Sequence, residues 1–233
     1  MQGMLLIFEK TTSAEEAAAQ EKFVRWMEQA LKRPIFAAAA DLSAGGCEKL
    51  AMRINESGIA ELFIQPVVMF PTFAFSEDVK RLTQILAEQT AVALRQGEAF
   101  GSAAGIASYV RQKIFTLMNI HTATKIILAV GGDETAAAAV RKMFAQLSAG
   151  LPAERLRLGR INESQAHDSL AQALDDWKDA GVAVIPYFLL PDEDFRRLET
   201  VIKERTASGQ EIAFPARIPF EPAEDLLGGM FDE

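Results

Sequence analysis

The run Pro66-Val67-Val68-Met69-Phe70-Pro71 returns as Pro186-Tyr187-Phe188-Leu189-Leu190-Pro191, displaced by 120 residues. Phe75 and Phe195 keep that offset, as do Leu6 and Ile126. A period of this length exceeds a solenoid unit and matches a small domain. In a chain of 233 residues it fits two copies of one unit, at 1–121 and 122–233.

Short apolar runs alternate with amphipathic helices in each half. In the first half, 5–8, 35–40, 62–69 and 92–94 read as strands, the first as one buried on both faces. Ser13 with Glu16 forms a capping box ahead of a helix carrying Phe23, Val24, Met27 and Leu31, which Pro34 stops. Later helices carry Leu50 and Ile54 (47–57, ended by Gly58), Val79, Leu82 and Leu86 (from Ser76), and Ile106, Val110, Ile114 and Leu117. In the second half the strands are 126–130, a short one at Leu156 and Leu158, 182–190 and 212–214. Their helices carry Val140, Met143 and Phe144, then Leu170, Leu174 and Trp177 behind an Asn162/Gln165 cap, then Phe195, Leu198 and Ile202. A short acidic helix near Glu224 closes the chain.

Four strand-helix units in each half imply an α/β protein with two similar parallel sheets, right-handed crossovers and helices on both faces. Ligands of such sheets bind beyond the carboxyl ends of the strands. The residues to watch are therefore Glu9, Asp41 and 70–78 in the first half, and 131–134, 162–168 and 191–194 in the second.

Composition narrows the partners. A net charge of −8 disfavours a nucleic-acid backbone or an anionic membrane surface. A single cysteine excludes a disulfide framework and any CxxC site, and two histidines, His121 and His167, leave no multi-histidine metal cage. The N-terminal apolar run meets Glu9 and Lys10 too soon for a signal peptide, and no run is long enough to span a membrane. A cytoplasmic protein is expected.

Gly58-Ile59, the strand Ile64-Gln65-Pro66-Val67-Val68-Met69-Phe70-Pro71 and the following Glu77-Asp78-Val79 resemble the class II tetrapyrrole chelatases, the sirohydrochlorin cobalt- and ferrochelatases of cobalamin and siroheme biosynthesis. Val184-Ile185-Pro186-Tyr187-Phe188-Leu189-Leu190-Pro191 matches that family's PLFLFPG-like run more closely still. The resemblance implies two chelatase-like domains facing across a cleft, and a lyase inserting cobalt or iron, as substrate, into a carboxylate-rich tetrapyrrole without a nucleotide cofactor. Both halves lie on one chain, so a monomer suffices.

In that family two histidines hold the metal and take up pyrrole protons, one after the first strand and one past the proline of the third. Imidazole suits both tasks. Here Glu9 and Gly131 fill the first position and Ala74 and Asp194 the second, so every family histidine position is vacant. The resemblance makes Glu9 and Asp194 the catalytic candidates and Glu9, Asp41 and Asp194 the metal ligands, with Glu163 and His167 as a further pair. Carboxylate ligation favours harder metals than cobalt or iron.

Each candidate has a plainer reading. Glu9 is equally a solvated acid in a loop. Asp192, Glu193 and Asp194, like Glu77 and Asp78, suit a first helical turn, where acids complement the helix dipole and one of them caps it. Gly131-Gly132-Asp133 looks like an anion cradle, and with Lys10 it is a candidate for binding substrate carboxylates; a tight glycine turn explains it too. It has neither the GxGxxG nor the P-loop pattern, so no nucleotide is expected. Glu163 and His167 share a helical face and also suit a surface pair. Cys47 reads as a buried small side chain, and Trp26, Trp177 and Phe73 as core or cleft-wall aromatics. Two functions follow: sirohydrochlorin-type metal insertion, or a chelatase-fold protein without catalysis that binds a metal, a tetrapyrrole or a protein partner.

Overall fold

A computed structural model describes residues 1–102, 104–120, 124–161 and 168–214. By its contacts the chain forms two compact units, with the division between Phe100 and Gly101. The expected Glu224 helix, His121, Glu163 and His167 lie outside the described residues.

Unit 1 contains β1 (Gln2–Phe8), α1 (Ala14–Leu31), β2 (Ile35–Ala39), α2 (Ala44–Glu56), β3 (Glu61–Pro66), α3 (Phe73–Gln89) and β4 (Ala93–Gln96). Its strands are all parallel, in the order β2-β1-β3-β4. β1 is buried from Gly3 to Phe8, as a central parallel strand should be. Leu5 and Ile7 share a core with α2 (Leu50, Ile54) and α3 (Val79, Leu82, Leu86). Phe8, on the opposite face, meets Phe23 of α1 edge-on at 6.2 Å. Helices therefore cover both faces of the sheet.

Unit 2 contains α4 (Ala104–Ile120), β5 (Lys125–Val130), α5 (Ala137–Ser148), β6 (Leu156–Arg160), α6 (Leu170–Asp176), β7 (Val182–Pro186), α7 (Glu193–Ala207) and β8 (Ile212–Ala213). The parallel order β6-β5-β7-β8 repeats that of unit 1. α4 belongs to this unit by its contacts. Arg111 donates to the carbonyls of Gln146 (3.4 Å) and Ala149 (2.7 Å) at the C-terminal end of α5, while Arg155 donates to Met118 O (3.3 Å) and Thr124 O. The sequence repeat thus breaks at 121/122 and the contacts break at 100/101.

Within the described residues the expected elements form, with shifted ends. α2 begins at Ala44 behind a Ser43 cap, and α3 at Phe73 behind Thr72, each about three residues before its apolar stripe suggested. α6 begins only at Leu170, where Ser169 accepts from Gln172 N; the Asn162/Gln165 cap expected for it lies outside the described residues. β3 and β7 stop at Pro66 and Pro186, short of 69 and 190; the next amide in each, Val67 N and Tyr187 N, makes a last bond to Ile7 O and Ala129 O before the chain turns away.

One part of the repeat needs correction. Thr72 and Asp192 cap the equivalent helices by accepting from Phe75 N and Phe195 N, so the offset of 120 holds there. In the first strands it does not. Ile7 pairs with Pro66 and Ala129 with Pro186, so Leu6 corresponds to Leu128 and not to Ile126. The offset there is two residues longer, and the equivalent of Glu9 is Gly131.

Candidate functional site

Each sheet reverses its strand order between its first and third strands, which is where the crevice of an open parallel sheet lies. In unit 1 that crevice is flanked by Glu9, just after β1, and by Phe73 and Ala74 at the start of α3. In unit 2 the flanking residues are Gly131, Gly132 and Asp194. The family's two vacant histidine positions fall on these edges.

In unit 1 the β1 carboxyl end turns into α1 through a tight polar loop. Glu16 reaches back so that Thr12 N donates to its Oε2 at 2.6 Å, while Ser13 Oγ accepts from Glu16 N. This is the expected capping box displaced by one residue, since the carboxylate binds the amide before the cap. Gln20 Nε2 donates to Glu9 O at 3.0 Å, which fixes the backbone where β1 ends. Glu9 is half-buried there, and Lys10 and Asp41 are exposed. Lys10 Nζ stands 3.4 Å from Asp41 Oδ2, so this acid has a cation of the chain's own beside it. Ala74, at the second family position, is exposed.

In unit 2 the two edges touch. Gly132 N donates to Asp194 Oδ2 at 2.9 Å. A Cβ on Gly131 would lie 2.5 Å from that same oxygen and 3.0 Å from Phe188 Cε1, so the approach requires glycine. Gly132 sits at φ 103, a conformation that also favours glycine. Asp194 has Arg197 Nη1 3.9 Å from its other oxygen. Just beyond the glycines, Asp133 Oδ1 accepts from Thr135 N at 3.0 Å and from Ala136 N at 3.3 Å. The glycine turn is thus held from within by two aspartates.

The plainer readings describe several other residues. Asp192 is the cap of α7, Glu193 pairs with Arg197, and Glu77 and Asp78 pair with Lys80 and Arg81 on their own helix. Cys47 is 1% exposed. Trp177 is buried with Arg157 over its ring at 4.7 Å. Phe73 differs from the expectation: at 65% exposure it stands in solvent on the first turn of α3.

Some polar groups near this edge are missed by the sequence reading. Arg160 ends β6 fully buried and donates from Nη2 to Asp133 O at 3.0 Å, bracing the glycine turn from below. Arg141 Nε donates to Asp168 Oδ2 at 2.9 Å. Tyr187 replaces Val67 of unit 1, is fully buried, and donates to Gly101 O at 3.0 Å. Burial pushes its phenol well above the ordinary tyrosine value. An arginine closing an apolar strand, and a tyrosine where the repeat has valine, are the sequence signals for these.

Among the described residues, no three His, Cys, Asp or Glu side chains are grouped to hold a metal ion. The donors at the two crevices are carboxylates, and that of Asp194 already accepts a backbone N–H. No described helix is long and apolar enough to cross a membrane.

No protein-family profile matches the chain. No curated protein sequence matches it either. Solved structures do. SirB from Bacillus subtilis with Fe3+ is similar with a TM-score of 0.73 and 12% identity, over 98% of this chain and 93% of that one. The sirohydrochlorin chelatase SirB from Bacillus subtilis subspecies spizizenii in complex with cobalt gives 0.66 and 10%, over 91% and 86%. CbiX, described as the terminal enzyme for biosynthesis of siroheme in denitrifying bacteria, gives 0.64 and 15%, over the full length of both chains. Two four-stranded parallel sheets of identical order, and these likenesses over nearly the whole chain, establish a class II chelatase-like fold.

Proposed function

We propose that this protein is a chelatase-fold binding protein for a sirohydrochlorin-type tetrapyrrole or its divalent metal, in which the insertion step has been lost. The observation that carries this reading is the bond between Gly132 N and Asp194 Oδ2. It ties the residue after Gly131, which the resemblance puts at the first histidine position, to Asp194 at the second, and it commits that acid to a backbone amide. In unit 1 the exposed Asp41 has Lys10 beside it. An uncharged edge from Pro66 to Ser76 sets no repulsion against a carboxylate-rich ligand, which fits an otherwise acidic chain. The reading includes duplication of one unit, with repeats at 1–121 and 122–233, in a cytoplasmic monomer.

A second reading is cobalt or iron insertion by carboxylates, as in cobalamin or siroheme biosynthesis. What favours it is Glu9, half-buried at the end of β1, where a base and ligand would be wanted. The deciding experiment is spectrophotometric: sirohydrochlorin is titrated with the protein, then Co2+ or Fe2+ is added. Binding without faster metallation than in buffer supports the first reading. Catalysed metallation that falls in Glu9→Ala and Asp194→Ala overturns it in favour of the second.

A further inference from the structure

The two crevice edges carry opposite chemistry on one scaffold. From Pro66 to Ser76 unit 1 has no charged residue, whereas unit 2 has Asp192, Glu193, Asp194 and Arg196 in the equivalent stretch. Phe73 and Glu193 occupy the same place, one residue after the Thr72 and Asp192 caps. That place faces solvent in both units: Phe73 is 65% exposed and the Glu193 side chain 57%. Glu193 pairs with Arg197, as an ordinary surface residue does. The fold therefore asks nothing apolar of this position, and unit 1 nonetheless places a phenylalanine there.

Phe73 is also held in place. Thr72 Oγ1 accepts from Phe75 N at 3.1 Å, and Thr72 O accepts from Ser76 Oγ at 2.9 Å, so the backbone of the first turn of α3, which carries the ring, is fixed. Phe75, two residues on, points into the core and anchors the same turn. The neighbour Ala74 is small and exposed, which leaves the ring's surroundings open on that side. An exposed aromatic ring on a capped helix turn beside the crevice suits a flat conjugated ligand, since offset stacking adds to the gain from apolar burial. A free divalent ion would gain nothing from it.

We propose that Phe73 is a ligand-contact residue that lays its ring on the face of the bound macrocycle and sets preference for a planar tetrapyrrole over a bare metal ion. This rests on the tetrapyrrole reading above. The test uses the full chain, with sirohydrochlorin as probe, following the absorbance bands of the ligand. Phe73→Ala is expected to raise Kd about tenfold and to reduce the band shift on binding, while Phe73→Trp restores both. Phe115→Ala, which removes another exposed aromatic ring (56%) from α4, leaves Kd unchanged, and all three variants keep the wild-type melting curve. Equal Kd for wild type and Phe73→Ala overturns the role of Phe73 alone. No binding by the wild type overturns the tetrapyrrole reading and this proposal together.

Discussion

Gly132 and Asp194 are joined by a 2.9 Å hydrogen bond that ties the turn after β5 to the first turn of α7. Unit 1 has no counterpart, because Lys10 and Ala74 stand at the equivalent places. A charged acceptor on a backbone amide contributes about 1.5–3 kcal/mol when shielded, and Asp194, at 21% exposure, belongs at the lower end. Asp194→Ala is expected to destabilise the protein by about 1–2 kcal/mol in urea titrations. Asp194→Asn should lose less, because its amide oxygen can accept the same N–H.

The close approach at Gly131 makes a second, coupled prediction. Gly131→Ala sets a methyl 2.5 Å from Asp194 Oδ2, so either that carboxylate moves and loses its bond or the turn shifts. The expected loss is about 1–3 kcal/mol, as for overpacking elsewhere. Combined with Asp194→Ala the loss should be much less than the sum. Additive losses in this double-mutant cycle would show that the two sites do not interact.

Tyr187 gives an alkaline signature. Its phenol titrates above the ordinary value of about 10 because it is buried, so the unfolded chain releases that proton first. Its contribution is fully present below about pH 10 and is lost as pH rises toward the folded-state value. Tyr187→Phe removes the bond to Gly101 O, with an expected loss of about 1 kcal/mol at neutral pH. The variant should also show a flatter decline above pH 10, measured by denaturant midpoints across the alkaline range.

Restoring the imidazoles tests what their absence means. Glu9 is half-buried and Ala74 exposed, so Glu9→His with Ala74→His should fold normally. Calorimetric titration with Co2+ is expected to show tighter binding by the double variant than by the wild type, with each single variant in between. An unchanged isotherm would mean that the unit 1 crevice no longer presents these positions to a shared ion.

The architecture was legible because its signals are local. The buried runs of β1 and β5 and the cap at Ser13 follow from a few neighbouring residues each. Register was less legible: in strands buried on both faces a slip of two residues leaves the apolar pattern intact, which is why Leu6 matched Ile126 in place of Leu128. The site was legible only as positions. Gly131 and Asp194 are 63 residues apart, and nothing near either one reveals that the first is small because the second lies against it. Phe73 misled for the opposite reason, since its apolar neighbours Phe70 and Phe75 are buried and it is not.

The attachment of α4 to unit 2 limits how this chain can be divided. Ile106, Val110, Ile114 and Met118 form a stripe on α4 that is at most 5% exposed. Their cover includes α5, and arginines on either side of that helix hold the two together. A polypeptide cut at the repeat boundary would carry that stripe uncovered on its last helix, while the remainder would begin at β5 without its lid. Such pieces would expose apolar surface that the intact chain buries. A division before α4 keeps that helix with its partners, so the contact boundary and not the sequence repeat marks where one folding unit ends.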